Sequence, residues 1–162
     1  VQTCALPICK AKNLGMCANF FVNHMWYWGD QHHDITVGPD RANGLNPCAT
    51  ADRIGLSYSF HSDAPVTPPS HLHTMWAAVN RMAPSGRTIG DSERISIDRA
   101  FHAATIDAAY QLHLDHLIGS LEVGKFADIT ILDEDPYAVE SIDIRNINVW
   151  GTMVGGIIHQ NP

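Results

Sequence analysis

The residues with the most chemical capacity lie in three stretches. In Phe60-His61-Ser62-Asp63-Ala64-Pro65-Val66, Asp63 carries a carboxylate two positions after a histidine. Such a carboxylate can hold a metal ion or take a proton from water, and an Asp before Ala-Pro can equally cap the turn that follows. His24, Trp26, Tyr27 and Trp28 form a second group, a histidine with rings that could wall an apolar substrate pocket or pack beneath a loop. His71-Leu72-His73 and His32-His33 are the third, both formally able to contribute metal ligands.

Local geometry separates these candidates. Residues i and i+2 of a strand share a face, so His61 points with Asp63, as a neighbour of a site or as a core histidine. His71 and His73 follow Pro68-Pro69-Ser70 and open a helix, where i and i+2 lie about 200° apart. A solvated helix start is expected there rather than a metal site. Adjacent His32 and His33 diverge, so at most one could touch a substrate.

The elements that must position these groups alternate between strand and helix. Asn13-Leu14-Gly15 is a helix-end signal, and Ala18 to His24 reads as a buried strand ending at His24. Met25 to Gly38 reads as a long, aromatic-rich loop. Pro39 opens a helix, Ala49 to Arg53 is a looser helical piece, and Ile54 to Phe60 is a strand that surfaces at Asp63. Ser70 is placed to cap a helix over His71 to Met82, whose apolar positions Leu72, Met75, Trp76, Val79 and Met82 recur at helical spacing. Ser96 caps a longer helix to about His113, with Ile97, Phe101, Ala104, Ala108 and Leu112 on one face.

This order is an α/β pattern. In an α/β barrel, a residue where a strand surfaces lies at the mouth where catalytic groups gather. After Leu117 the character changes to short strands: Ala127 to Asp133, Asn146 to Trp150, Thr152 to Val154 and Ile157 to His159, the last two joined by a Gly155-Gly156 turn. Lys125 and Asp128 read as turn chemistry in this β element.

Bulk properties exclude several classes. The chain has 162 residues, 45% of them hydrophobic, enough for one packed domain or pieces of two. A net charge of −7 and no Lys/Arg cluster argue against nucleic-acid binding. No apolar run approaches the roughly 20 residues of a membrane span. Cys4, Cys9, Cys17 and Cys48 show no CxxC spacing. Scattered thiols favour a reducing compartment, cytoplasmic rather than secreted. Val1 to Ile8 lacks a start methionine and a signal-peptide pattern, and it matches a translated sequencing adapter. Residues 1–8 are therefore expected to be non-native and fused to a truncated frame, the alternative being a genuine short strand.

Ser62-Asp63-Ala64-Pro65-Val66, Ala103-Ala104-Thr105-Ile106-Asp107-Ala108-Ala109, Gly119 to Asp128 and Val154-Gly155-Gly156, in that order, resemble the C-terminal part of metal-dependent amidohydrolases. The resemblance is greatest to the amidohydrolase 3 (YtcJ-like) branch and runs from about Asn13 to the C-terminus. It implies an α/β fold comprising the last two βα units of a (β/α)8 TIM-like barrel over residues 9–116. Residues 117–162 would then form the C-terminal part of a small β-sandwich. It also implies that Asp63 is a metal ligand and the catalytic proton acceptor in hydrolysis of a non-peptide carbon–nitrogen bond. The ion would be zinc or a similar divalent metal, whose remaining ligands lie outside this sequence. His24, Trp26 and Trp28 would contact a small-molecule amide substrate.

Self-association into a homo-oligomer is an open expectation. Strands seven and eight of the implied barrel would expose edges, so low stability is expected for the fragment. The competing readings are a non-catalytic binding or scaffold domain with the same fold, and a His-rich metal-sequestering module, for which the ligand spacing is lacking.

Overall fold

The computed structural model describes residues 6–161. The expectation for Val1 to Ala5 lies outside the described residues. Leu6 to Ile8 belong to helix α1 (Leu6–Asn13), in place of the strand considered for them. The chain continues through β1 (Ala18–Phe20), α2 (His24–Gln31), a π-helical turn (His32–Thr36), α3 (Pro39–Ala42), α4 (Cys48–Ile54) and β2 (Tyr58–Phe60). Next come α5 (His71–Asn80), a 3-10 turn (Asp91–Glu93), α6 (Ile97–Ala104) and α7 (Ile106–Gln111). The last part holds β3 (Ile129–Leu132), a second 3-10 segment (Ser141–Asn146), β4 (Val149–Val154) and β5 (Ile157–Gln160).

β1 and β2 lie parallel, with Ala18 opposite Tyr58 and Phe20 opposite Phe60. Among the described residues they pair with each other and with no third strand. β2 is buried and β1, through half-buried Ala18 and Phe20, packs against the same core built on α5, whose Leu72, Met75, Trp76, Ala77 and Ala78 are buried. Ser70 caps α5 as expected, its Oγ accepting from the His73 amide. Each large apolar side chain buried here contributes about 1.5–3 kcal/mol relative to leaving it in water. Cys48 belongs to the same core, where burial pushes its thiol up to about 12 and leaves it inert. Arg99 ties the outer helices together, bonded to Asp52 and Asp107 with its guanidinium 4.1 Å from the Tyr58 ring centre.

β3, β4 and β5 form an antiparallel sheet. Ile144 and Ile147 carry this part of the chain into the main core. Trp76 Nε1 donates to the Ile142 carbonyl at 2.9 Å, and Asn80 Nδ2 to the Ser141 carbonyl at 2.9 Å. Two side chains of α5 therefore anchor the second 3-10 segment directly.

The structure corrects several local expectations. Met25 to Gln31 is helix rather than loop, and His24 opens that helix instead of ending a strand. The buried stripe of α2 is only Met25 and Gly29, because a Cβ at Gly29 would stand 3.1 Å from that of Ala83. Half-exposed rings at the remaining positions hide the helical period. The helix expected from Ser96 to His113 breaks at Thr105, whose φ/ψ of −125°/−92° separates α6 from α7. The break shifts the phase: Ala100, Ala103 and Ala109 are buried, whereas Leu112 is 66% exposed.

Gly119 explains how closely the following segment returns, since at φ +92° a Cβ there would meet that of Ala109 at 2.7 Å. Val149 to Val154 is one strand rather than two, and Asn146 ends a 3-10 segment. The Gly155-Gly156 turn is as expected. Among the described residues, Cys17 and Cys48 are free. No helix among the described residues is long and apolar enough to cross a membrane.

Candidate active site

Parallel pairing of β1 and β2 brings two chain segments out of the core together. Phe21 to His24 leaves β1 and His61 to Asp63 leaves β2, joined where the His61 amide donates to the Phe20 carbonyl. Phe21 is the spacer between them. Its ring lies 4.2 Å from that of His24 on one side and stacks on His61 at 5.1 Å on the other. His24 then meets Trp28 edge-on at 5.4 Å and His32 at 5.3 Å. Turns at i+4 and i+8 along α2 and its π continuation place these three residues on one face.

That face borders an open cleft of about 500 Å³. Its lining includes His24, Trp28 and His32, with Ile35 and Thr36 from the π turn and Val66 from the loop after β2. The walls are mostly apolar, with imidazole and hydroxyl groups set among them. Arg87 steadies the outer side of this wall, donating to Asp34 at 2.9 Å. His33 Nδ1–H donates to the same carboxyl at 2.6 Å and holds it below the usual carboxylate range. His33 is therefore engaged with Asp34 while its neighbour His32 lines the cleft.

Burial lowers the pKa of His24, and the nearby imidazoles of His32 and His61 lower it further, with Asp63 opposing. His24 is consequently a neutral imidazole at pH 7. Thr36 donates to the Gln31 carbonyl at 2.9 Å, so it accepts from Nδ1–H of His32 at 3.1 Å. The other ring nitrogen of His32, Nε2, is buried and without a partner among the described residues.

Asp63 stands beyond His61 in the left-handed region, at φ +54°. Asp tolerates this conformation better than most residues. Its carbonyl accepts from the Val66 amide at 2.8 Å, so the turn-capping role is filled by its backbone. The carboxylate is exposed and makes no hydrogen bond among the described residues.

The other candidates separate by position. Trp26 faces away from the cleft, edge-on to Trp76 at 5.2 Å and covered by the Arg145 guanidinium at 4.5 Å. His71 is exposed, whereas His73 turns inward to Asn23, so the two do not converge, as their helical spacing predicts. Ile35 and Thr36 were not legible as lining residues, because a loop reading of Met25 to Gly38 gives no facing direction. Among the described residues no group of three or more His, Cys, Asp or Glu side chains could hold a metal ion. Asp63 offers one carboxylate and not a complete centre.

Comparison with known proteins gives consistent matches. The model of the amidohydrolase family matches residues 5–159. The chain is 32% identical over 137 residues to an N-substituted formamide deformylase of Arthrobacter pascens, covering 85% of this chain and 24% of that protein. It is 26% identical over 125 residues to the putative amidohydrolase YtcJ of Bacillus subtilis, covering 75% of this chain and 24% of that one. A metal-dependent hydrolase from Pyrococcus horikoshii superposes with a TM-score of 0.71 at 25% identity, over 85% of this chain and 28% of that structure. The chain thus spans about a quarter of the length of these relatives.

Proposed function

The chain belongs to the amidohydrolase family, and from that premise we propose that it is the C-terminal segment of a metal-dependent hydrolase acting on non-peptide carbon–nitrogen bonds. Asp63 is the residue through which it takes part in the reaction. The observation that carries this is the uncommitted carboxylate of Asp63, exposed in a left-handed turn where β2 surfaces, in the loop whose Val66 lines the cleft with His24 and Trp28.

In this reading β1–α2 and β2–α5 are the last two βα units of a (β/α)8 barrel, supported by their parallel pairing in register. β3 to β5 are then part of a small β-sandwich. The described residues do not build a metal centre alone. The ion, zinc or a similar divalent metal, would take its other ligands from polypeptide outside this chain and supply a water acidified toward neutrality. With such an ion bound, Asp63 would be the residue to accept a proton from the attacking water and to return it to the leaving amine. Neutral His24 and the Trp28 ring bound the space for a small amide; an N-substituted formamide, the substrate class named for the Arthrobacter relative, is a fitting first probe.

The test is hydrolysis of N-formyl and N-acyl amides by the full-length protein, with and without Asp63→Asn, alongside its metal content. Loss of turnover in Asp63→Asn with folding intact is the expected result. A full-length protein that neither binds metal nor turns over any amide would be a scaffold with this fold instead.

A further inference from the structure

Asn23 and Thr67 are the most deeply buried polar side chains near the cleft, 1% and 0% exposed, and the reaction outlined above uses neither. Buried polar groups must be paired, and these two pair with each other. The Thr67 hydroxyl gives its one proton to the Ser62 carbonyl. It therefore accepts from Asn23 Nδ2, at 3.0 Å. That contact turns the other end of the amide, Oδ1, toward His73, whose Nδ1–H donates to it at 3.3 Å. A directed chain thus runs from the first turn of α5, through the residue that caps α2, to the loop after β2.

Its two middle links are each adjacent in sequence to a residue of the site. His24 follows Asn23, and Asp63 follows the Ser62 carbonyl. Asp63 has no side-chain hydrogen bond of its own among the described residues, so the backbone, by fixing the Cα–Cβ direction, is what confines the region its carboxylate can reach. That backbone is held on both sides: the Asp63 carbonyl by Val66 N–H, and the Ser62 carbonyl by Thr67. Relaxing φ from +54° toward the extended region would break a bond inside the core.

We propose that Asn23 and Thr67 are positioning residues that hold the turn carrying Asp63 in place relative to His24. This rests on the reading of Asp63 given above.

Thr67→Val keeps the shape and removes the hydroxyl, and Thr67→Ser keeps the hydroxyl. In this chain, hydrogen exchange at the Val66 amide should speed by about tenfold or more in Thr67→Val, with the β1–β2 amides unchanged and Thr67→Ser close to the parent. In the full-length hydrolase, Thr67→Val should lower kcat by about 10- to 100-fold with KM within about twofold, and Thr67→Ser should restore it. Asn23→Leu breaks the same link from the other side and must show the same split if Thr67→Val folds poorly. Parental Val66 exchange, or parental kcat per folded molecule in both variants, overturns the proposal. Asp63→Asn, assayed in parallel, separates the two ideas. If it stays active, the site reading fails; if it is dead while Thr67→Val runs at the parental rate, only the positioning role fails.

Discussion

Ser59 on β2 donates its hydroxyl to Oε1 of Gln111 on α7 at 2.8 Å, and the same amide gives Nε2–H to the Ala18 carbonyl of β1 at 2.8 Å. One side chain thus bridges both parallel strands. Gln111→Leu would strand a hydroxyl that is 2% exposed together with a strand carbonyl. The expected loss is about 1–3 kcal/mol in denaturant unfolding. A variant within about 0.3 kcal/mol of the parent would show that the bridge contributes nothing.

Arg81 is a cation with 0% exposure that is paired to backbone rather than to a carboxylate. Its Nε donates to Ile89 at 2.7 Å, Nη2 to Leu45 at 2.7 Å and Nη1 to Asn46 at 3.0 Å, all at carbonyls. Burial holds its pKa below the usual guanidinium value. Arg81→Met leaves these acceptors without donors and should cost about 3 kcal/mol or more. Arg81→Lys should rescue little, because an ammonium lacks the planar fork that reaches three carbonyls at once. Comparison of the two unfolding midpoints decides the point.

Asp63 permits a separation of function from stability. Its carboxylate is exposed, so Asp63→Asn should unfold within about 0.5 kcal/mol of the parent. Asn also tolerates φ +54°. Asp63→Val, β-branched in the left-handed region, should cost about 1–2 kcal/mol. Thermal melts of the pair check this, and equal melting for Asn and Val would show that the loop does not hold this conformation.

His73 gives stability a pH dependence. Burial lowers its pKa from 6.5, and the Arg145 guanidinium lowers it further. The unfolded chain therefore binds the proton first as pH falls. The stabilisation is fully present above about 6.5 and is lost progressively as pH drops through the lower folded value. The protein should melt at lower temperature at pH 5 than at pH 7. His73→Gln, which can still donate to Asn23, should flatten that slope, and an unchanged slope would assign it to other groups.

The sequence by itself determined what is written in short-range chemistry. Ser70 and Ser96 cap helices because a hydroxyl before a helical run meets the first free amides. Gly155-Gly156 turns because only glycine enters those dihedrals freely. The ordered motifs from Ser62 to Gly156 placed the chain in its family, and their spacing needs no tertiary contact to be read.

Only the tertiary structure decided which side chains face one another. Trp26 and Trp28 are equivalent rings in sequence, yet helix α2 sends one onto Trp76 and the other into the cleft. The helix itself was hidden, because its buried stripe is narrowed to Met25 and Gly29 by the close approach of Ala83. Asn23, Thr67 and His73 read as a strand end, a loop threonine and half of a misleading His-x-His. Their partners lie 44 and 50 positions away in the chain. Local propensity carries no information over such separations; burial does, by requiring that each polar atom taken from water find a partner inside.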